Sequence, residues 1–436
     1  MSKAAFWFRR DLRFEDNHGL YRALSENDEV LPVFVFDPVI LENLSDKKDR
    51  RVEFIHQRLD ELDSKLRSMG HAGILIVNGD VLKYWQKIIK MYGIEKIYCN
   101  TDYEPATIKR DLEIDECANE MGVEFKTFKD QVIFEESEIL KDNGDPYTVY
   151  TPYKKRWLNQ FQAHMTDPYL SEELLDKMWK DRLPVPYTLE RIGFEETDLN
   201  VPEHQIDFQN LNDYEKTRDF PALDSTSRLS VHLRFGTVSI RNLVKQATNV
   251  NETWLSELIW REFFMMILYH FPYSENKEFK EKYSSVEWRY DEEDFKKWCF
   301  GKTGYPLVDA GMRELNATGF MHNRVRMVTA SFLVKHLLID WRWGERYFAK
   351  KLLDYDLSAN VGNWQWAAGC GCDAAPYFRV FNPQTQMEKF DKDLEYVKKW
   401  VPEYGTPEYP EPMIDHKEAR SRALEAYALA LGKKTG

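Results

Sequence analysis

Short apolar segments alternate with amphipathic segments along the first 135 or so residues of the chain. The apolar or β-rich runs are Ala4–Phe8, Val30–Phe36, Gly73–Val77, Lys96–Cys99 and Glu124–Phe128. Between two of these runs, Asp49–Met69 has apolar side chains at helical spacing. Strands that alternate with helices predict a doubly wound, mostly parallel sheet. Ligands bind such sheets at the carboxyl ends of the strands.

The pattern becomes helical from about residue 206 onward. Before that point, the polar, proline-containing stretch Asp181–Gln205 has weak periodicity, which is typical of an interdomain connector. We therefore predict an α/β domain at 1–135, a connector at 136–205 and an all-α domain at 206–436. The helices predicted in the last domain are Trp254–Tyr269, Pro306–Ala317, Asn323–Leu338, Trp343–Leu353 and Lys417–Leu431.

Hydrophobic residues make up 43% of the 436 residues, which is enough for large buried cores. No apolar run reaches the roughly 18–20 residues of a membrane span, and the N-terminus lacks the features of a secretory signal. We therefore expect a cytoplasmic protein without membrane contact. The five cysteines have neither the density of a disulfide framework nor zinc-ligand spacing, so we expect free thiols and no metal site.

The formal net charge of −13 argues against indiscriminate nucleic-acid binding through overall charge, although it is compatible with a local basic patch. Aromatic residues make up 14% of the chain, and nine of the 13 tryptophans lie after residue 205. This density raises stacking and redox chemistry as candidate functions of the helical domain.

The chain contains a dinucleotide-binding fingerprint, but its position does not fit such a site. Gly369–Ala374 satisfies GxGxxA, but it follows a tryptophan-rich helical region rather than a strand, and we predict a tight loop there. The first strand-to-helix turn, Arg9–Arg13, contains no glycine. A standard NAD site is therefore not expected.

Two helical segments place unusual side chains on one face. Glu257, Trp260 and Arg261 are neighbours at i, i+3 and i+4, a set that also fits a surface ion pair on an ordinary amphipathic helix. Asn323 and Met327 lie one turn apart, and an amide beside a polarizable thioether suits an uncharged planar ring. The alternative for Asn323 is a local helix cap.

Two further motifs have a functional and a structural interpretation. Trp364 and Trp366 are about 200° apart on a helix, so we expect one to face a ligand or another tryptophan and the other an open cavity. Core packing is the alternative. Thr226–Ser230 combines hydroxyls, backbone N–H groups and an arginine at a predicted helix start, as in phosphate sites. Simple N-capping is the alternative there.

Five blocks of sequence resemble the photolyase/cryptochrome flavoproteins over nearly the whole chain. They are FWFRRDLRFEDNHGL, TSRLS, WREFF, GKTGYPLVDAGMRELNATGFMHNRVRMVTASFLVKHLLIDWRWGERYF and NWQWAAGCGCDAAPYFRVFNPQTQ. Within this family the chain resembles the class I cyclobutane pyrimidine dimer photolyases. The resemblance implies an α/β antenna-type domain followed by an all-α FAD-binding and catalytic domain. It also implies light-driven DNA repair by electron transfer from excited, reduced FAD.

The resemblance assigns cofactor roles by motif match. Residues implied at the FAD pyrophosphate are Tyr214, Thr226, Ser227, Arg228, Leu229, Ser230 and Arg261. Residues implied around the flavin ring and its ribityl chain are Asn323, Arg326, Asp354, Asp356 and Asn360, with Trp254 and Glu257 completing the set. Asp354 is expected to pair with Arg326, and Asn360 to face flavin N5. Trp364, Trp341 and Trp288 match the family's electron-transfer chain, which reduces FAD under light.

The implied partner is UV-damaged DNA with pyrimidine dimers, and no obligate protein partner is expected for a monomer. The cavity for the flipped dimer is implied to be lined by Glu257, Trp260, Asn323, Met327 and Trp366. Stacking on such rings contributes about 1–3 kcal/mol per base. Arg324 and Arg379 are implied to contact DNA phosphates. The catalytic set is Glu257, Asn323, Met327 and Asn360, and none of them acts as a covalent nucleophile.

Two positions separate the subfamilies. The (6-4) photolyases have histidine at the positions of Asn323 and Met327, and DASH-type cryptochromes resemble SNRGRQN where this chain has HNRVRM. A blue-light signalling cryptochrome of the same fold without repair activity remains the alternative. A more distant alternative is an unrelated nucleotide-dependent α/β enzyme.

The antenna segment departs from the folate-using relatives, which have an Asn-Glu pair after the strand near residue 99. Here Asp102-Tyr-Glu104-Pro105 looks more like a deazaflavin-type pocket, with Arg51 as a companion. A deazaflavin-type chromophore, FMN, folate and no antenna at all remain open.

Overall fold

The computed structural model describes residues 2–44, 46–202 and 208–433, which form two compact units. The first, called here the sheet unit, comprises Met1–Glu138, Asn159–Ile206 and Arg228–Asn249. The second, called here the helical unit, comprises Ile139–Leu158, Asp207–Ser227 and Val250–Gly436.

The sheet unit is built on five parallel strands in the order β3-β2-β1-β4-β5. The strands are β1 (Lys3–Phe8), β2 (Glu29–Phe36), β3 (Leu75–Asn78), β4 (Lys96–Asn100) and β5 (Glu124–Phe128). The first four are nearly continuous buried runs, as expected of parallel strands covered on both faces, whereas the edge strand β5 is more exposed. The predicted doubly wound parallel sheet is confirmed.

Helices connect these strands and make up most of the helical unit. In chain order they are α1 (His18–Glu26), α2 (Pro38–Leu41), α3 (Arg50–Ser68), α4 (Val81–Tyr92), α5 (Pro105–Glu120), α6 (Tyr150–Gln160), α7 (Tyr214–Thr217), α8 (Ser230–Phe235), α9 (Ile240–Val250), α10 (Glu252–His270), α11 (Glu292–Cys299), α12 (Pro306–Thr318), α13 (Asn323–Ser331), α14 (Trp341–Lys351), α15 (Leu357–Ala368), α16 (Pro383–Phe390), α17 (Glu395–Trp400) and α18 (His416–Ala430). Short 3₁₀ turns lie at Ala163–Thr166, Ser171–Lys177, Glu190–Ile192, Phe208–Leu211, Pro272–Glu275 and Glu281–Tyr283.

The stretch that the sequence predicts as a connector packs into both units instead. Met178 forms a bridge with Val30 of β2, and Trp179 N–H donates to the Val30 carbonyl at 2.9 Å. Trp179 is buried in the core of the sheet unit. The unit boundaries therefore differ from the predicted 1–135, 136–205 and 206–436, because pairing between distant segments leaves no local periodicity. The predicted junction at 205–206 lies outside the described residues.

A buried ionic cluster ties α9 to the sheet unit. Asp130 accepts from Arg13 Nη2 at 2.7 Å and from Arg241 Nη2 at 2.8 Å, and Arg241 Nε also donates to Asp16 at 2.8 Å. Burial alone raises the pKa of Asp130, but the two guanidinium groups outweigh it and lower this pKa to about 2. The cluster explains why α9, predicted in the helical domain, belongs to the sheet unit.

The helical unit has an aromatic core that includes Trp298, Trp341 and Trp364. Its predicted helices are present, but the one predicted at Asn323–Leu338 is shorter. Helix α13 ends at Ser331 and is followed by a π-helical turn at Phe332–His336, and Leu338 has a positive φ of 52°. A purely periodic pattern does not reveal this change of helix type, because the side chains on both sides of it are buried.

All five cysteines are buried and free, as expected. Among the described residues, no helix is both long and apolar enough to cross a membrane. The loop predicted at Gly369–Ala374 is confirmed, since α15 ends at Ala368 and Gly369 adopts the left-handed conformation with φ 86°.

Candidate functional site

An open cleft lies in the helical unit between α13, α14, α15 and the segment that precedes α15. Eight residues that the sequence singles out border it: Asn323, Arg326, Met327, Asp354, Asp356, Asn360, Trp364 and Trp366. The rest of the lining consists of Phe348, Leu352, Asn363 and the alanines Ala330, Ala359 and Ala367. The cleft thus combines amides, carboxylates, a guanidinium and aromatic rings, a mixture typical of a site for a planar polar ligand.

Helix caps place the polar side chains of this cleft. The side chain of His322 accepts from Arg324 N–H and caps α13, so Asn323 is not the cap and its amide borders the cleft one turn from Met327. Asp356 caps α15 by accepting from Ala359 N–H at 3.0 Å. The predicted common face of Asn323 and Met327 is present.

The predicted pair of Arg326 and Asp354 is also present. Arg326 Nη2 donates to Asp354 Oδ2 at 2.8 Å, while Arg326 Nε donates to the Met321 carbonyl at 2.7 Å. The other oxygen, Asp354 Oδ1, is buried and has no hydrogen-bond partner among the described residues. An unpartnered buried oxygen costs free energy, so a ligand with an N–H or O–H group fits this position.

The amide of Asn360 is oriented by α14. Its Nδ2 donates to the Glu345 carbonyl at 3.1 Å and to Glu345 Oε1 at 2.9 Å. Burial raises the pKa of Glu345. Together with Arg326 and Asp354, this amide gives the cleft donors and acceptors suited to the edge of an isoalloxazine ring, so the residues present fit FAD.

The two indoles of α15 border the same cleft in different ways. Trp364 is buried, its ring lies 6.1 Å from that of Trp298, and a Cβ added at Gly344 would come within 2.1 Å of it. Trp366 is only partly buried. Trp364 therefore faces another tryptophan as well as the cleft, whereas Trp366 borders the cleft and packs against the core while partly exposed.

The predicted electron-transfer tryptophans share one core. Trp341 is buried with Trp364 in the core of the helical unit, and Trp288 packs against that core from its edge. The Trp288 ring centre lies 6.0 Å from that of Tyr427. Their role as a chain remains a prediction.

Helix α10 packs closely against α15 but lies outside the cleft lining. A Cβ at Gly362 would come within 2.3 Å of the Phe264 ring, so only glycine permits this approach. Trp260 stacks on Tyr150 with ring centres 3.6 Å apart. Glu257 forms an ion pair with Arg218. Burial raises the pKa of Glu257, although the guanidinium opposes this shift. Glu257 and Trp260 are not among the residues that line this cleft, and their contact with a flipped dimer remains a prediction.

The two predicted phosphate-binding arginines differ in their surroundings. Arg324 Nη2 lies 2.8 Å from Asp219 Oδ2, and its guanidinium lies 4.5 Å from the centre of the Phe390 ring. It is therefore paired within the chain rather than presented to solvent. Arg379 is exposed in the loop before α16.

The predicted pyrophosphate residues are spread over the two units. Thr226 and Ser227 belong to the helical unit, whereas Arg228, Leu229 and Ser230 belong to the sheet unit. Leu229 caps α8 without a side-chain hydrogen bond, and Arg228 is exposed with φ 49°. The structure does not bring this set to the cleft.

Three further predicted cofactor residues lie in the helical unit, outside the cleft lining. Tyr214 begins α7, and burial raises its pKa. Trp254 is buried in the first turn of α10, and Arg261 lies farther along that helix, partly exposed. Their cofactor roles remain predictions.

Sequence reasoning missed four residues at or near these groups. Tyr150 was assigned to the connector, yet its ring stacks on Trp260 and its hydroxyl donates to the Ser256 carbonyl at 2.8 Å. Arg218, Asp219 and Glu345 hold predicted site residues, but their partners lie elsewhere in the sequence. For Arg218 and Asp219, the only sequence signal was their position shortly after the predicted cofactor residue Tyr214.

The predicted antenna residues are already paired within the sheet unit. Arg10 Nη1 lies 3.3 Å from Asp102 and 2.9 Å from Glu104, and Glu104 also pairs with Arg234 at 2.8 Å. Arg51 pairs with Asp49 at 2.5 Å. Its role as a companion of Asp102 and Glu104 remains a prediction.

Comparison with known proteins agrees with this fold and cleft. Residues 254–407 match the FAD binding domain of DNA photolyase, and residues 4–171 match the DNA photolyase domain. The deoxyribodipyrimidine photo-lyase of Escherichia coli K12 is 36% identical over 99% of this chain and 99% of its own.

Two solved structures are similar over the whole chain. A bacterial class III photolyase from Agrobacterium tumefaciens has a TM-score of 0.86 at 34% identity, covering 99% of this chain and 98% of its own. An archaeal photolyase from Sulfolobus tokodaii, solved with two FAD molecules, has a TM-score of 0.82 at 34% identity, covering 98% of this chain and 100% of its own.

The parallel sheet, the helical unit and these matches define a flavoprotein of the photolyase/cryptochrome family, to which the chain belongs. Within that family it is an enzyme with DNA photolyase function. Membership therefore implies an FAD cofactor and binding to damaged DNA.

Proposed function

We propose that this photolyase repairs cyclobutane pyrimidine dimers in DNA by light-driven electron transfer. The observation that supports this most is the cleft itself, where the amide of Asn323 and the thioether of Met327 lie beside the polar set of Arg326, Asp354 and Asn360. One part of the cleft suits the flavin ring, and the adjoining part suits a pair of uncharged bases.

Arg326, Asp354 and Asn360 would hold the flavin ring. The unpartnered Asp354 Oδ1 would accept from a ring N–H group, and the Asn360 amide is held by Glu345. When bound in its reduced form, FAD would supply a light-driven electron that opens the cyclobutane ring and would take it back once the ring has split. Because the electron comes from the cofactor, no side chain needs to act as a nucleophile.

Asn323, Met327 and Trp366 would hold the dimer. An amide both donates and accepts, so Asn323 matches the carbonyl and imide edges of a pyrimidine. Trp366 provides a ring face for stacking, which contributes about 1–3 kcal/mol per base. A crosslinked dimer pairs poorly and flips out of the duplex at lower cost than an intact pair, which favours lesions over normal DNA.

Positions 323 and 327 also support this substrate over the (6-4) photoproduct. The proton-donating histidines of (6-4) photolyases are replaced by an amide and a thioether. His322 does not substitute for them, because it caps α13, is buried, and desolvation lowers its pKa to about 4.

Illumination of the reduced holoprotein with defined oligonucleotides tests the proposal. We expect loss of a thymine cyclobutane dimer and no loss of a (6-4) photoproduct, measured by chromatography. Asn323→Ala should lower dimer repair more than FAD content, whereas Asn249→Ala, an exposed residue of α9, should change neither. An intact dimer after full FAD reduction would contradict repair and favour the signalling cryptochrome.

A further inference from the structure

Two consecutive residues of the helical unit, Arg218 and Asp219, engage two of the residues predicted to recognise damaged DNA. Arg218 forms an ion pair with Glu257, the carboxylate predicted to read the bases. Asp219 pairs with Arg324, the guanidinium predicted to bind a phosphate. Opposite charges at adjacent positions thus occupy both groups in the DNA-free protein.

The pairing of Asp219 covers one edge of the Arg324 guanidinium. Arg324 Nε donates to Asp219 Oδ1 at 3.3 Å, and Nη2 lies 2.8 Å from Oδ2. A carboxylate and a phosphate use the same forked geometry, so the two compete for this edge. Arg324 is only 16% exposed, and the Phe390 ring lies against its guanidinium.

The segment that contains these residues is held in a compact turn. Phe220 N–H donates to the Thr217 carbonyl at 3.1 Å, and Ser225 Oγ donates to the same carbonyl at 3.2 Å. The Phe220 ring also packs against Phe390, with ring centres 5.9 Å apart. Arg218 and Asp219 therefore lie next to each other in one hydrogen-bonded turn.

The pairs are weak enough to exchange. The Asp219 side chain is 30% exposed and that of Glu257 32% exposed, and partly exposed ion pairs of this kind yield to a competing charge. A chain with a net charge of −13 attracts DNA only through local cations. While Asp219 pairs with Arg324, this local cation is not available to a DNA phosphate.

We propose that Asp219 is a specificity-determining residue that keeps Arg324 masked on undamaged DNA, and that Arg218 links its release to engagement of Glu257 by a lesion. The inference rests on the proposed repair of pyrimidine dimers. A flipped dimer takes Glu257 from Arg218, the turn shifts, and Arg324 becomes available to a phosphate. Undamaged DNA makes no such contact with Glu257, so Arg324 stays paired with Asp219.

Dark binding measurements with the FAD-loaded protein test this inference. Fluorescence anisotropy is measured between 50 and 200 mM salt for two duplexes of one sequence, with and without a single thymine cyclobutane dimer. Asp219→Asn should bind the undamaged duplex more tightly and steepen its salt dependence by about 0.9 in log K against log salt, the value for one added phosphate contact. The affinity ratio of variant to wild type should then fall about 3.5-fold over this salt range.

Three further variants separate masking from general charge or structural effects. Asp213→Asn makes the same charge change at an exposed residue of the same segment. Its partner Lys216 is already 70% exposed and available to a phosphate, so this variant should not steepen the salt dependence. Adding Arg324→Gln to Asp219→Asn should remove the gain. Asp219→Glu keeps a carboxylate and should retain the preference of the wild type for the lesion. FAD absorbance and melting temperature verify that each variant is folded.

The outcomes distinguish the inference from the proposed function. A wild type without preference for the dimer would contradict the proposed repair function itself. A wild type that prefers the dimer, together with an unchanged preference in Asp219→Asn, would overturn the masking role alone. Equal gains in Asp213→Asn and Asp219→Asn, or a lost preference in Asp219→Glu, would overturn it as well.

Discussion

Replacing Arg326 with methionine tests how the cleft maintains its buried carboxylate. Asp354 is buried. Among the described residues, only one of its oxygens has a hydrogen-bond partner, and that partner is Arg326 at 2.8 Å. Arg326→Met removes the partner and leaves the carboxylate without a hydrogen bond. Asp354→Asn removes the charge but keeps the shape.

The expected cost follows from the burial of the pair. Removing one partner of a fully buried ion pair costs about 3–5 kcal/mol. The Arg326 side chain is 26% exposed and that of Asp354 3% exposed, so water partly compensates, and we expect about 2–3 kcal/mol for Arg326→Met. For a unit of this size the loss corresponds to a decrease of roughly 4–12 °C in melting temperature. The double variant that combines Arg326→Met with Asp354→Asn has no unpaired charge. It should therefore be more stable than Arg326→Met alone.

Thermal melts followed by tryptophan fluorescence measure this effect, since nine of the 13 tryptophans lie after residue 205. Melts without FAD report the ion pair alone, and melts with FAD add the contribution of the cofactor. Arg420→Met, at an exposed position of α18, serves as the control and should change the free energy of unfolding by at most about 0.5 kcal/mol. Equal melting temperatures of Arg326→Met and this control, or strict additivity in the double variant, would refute the reasoning.

Three further outcomes are expected. Gly362→Ala should destabilise the helical unit by about 1–3 kcal/mol in denaturant titrations, because the added Cβ would lie 2.3 Å from the Phe264 ring. Adding Phe264→Leu should recover part of this loss. An unchanged stability of Gly362→Ala would contradict the close packing of α10 on α15. Desolvation lowers the pKa of His322 to about 4, so its contribution to folding is present above pH 6.5 and is lost as the pH falls from 6.5 to 4. His322→Asn should therefore make the melting temperature less dependent on pH between 4 and 6.5. The same pH dependence in His322→Asn and the wild type would contradict this assignment. Trp364→Phe should slow light-driven reduction of FAD but preserve repair by chemically pre-reduced protein, whereas collapse of both activities would assign the indole a different role.

Local sequence patterns predict the elements of this protein well because the forces that form them are local. The buried runs of β1 and β2 and the apolar faces of α10 and α12 correspond to continuous or periodic hydrophobic positions. The contacts of Met178 with Val30 and of Arg241 with Asp130 join residues more than a hundred positions apart. No local pattern encodes such contacts, so the connector and the unit boundaries were predicted differently.

The candidate site divides in the same way. Asn323 and Met327 were placed on one face by helical spacing, and the Arg326–Asp354 pair followed from the family resemblance. The pairing of Glu257 with Arg218 was not predicted, because 39 residues separate them. Tyr150 was missed for the same reason, since its partner Trp260 lies on another helix.

The order in which the chain is synthesised gives the Asp130 cluster a further consequence. As the polypeptide leaves the ribosome, Arg13 and Asp130 emerge first, and the second guanidinium emerges only with Arg241. Until then the nascent sheet contains a carboxylate with half of its final counter-charge, and burying it is costly. The N-terminal fold therefore reaches its full stability late in translation, after much of the following chain has already been made.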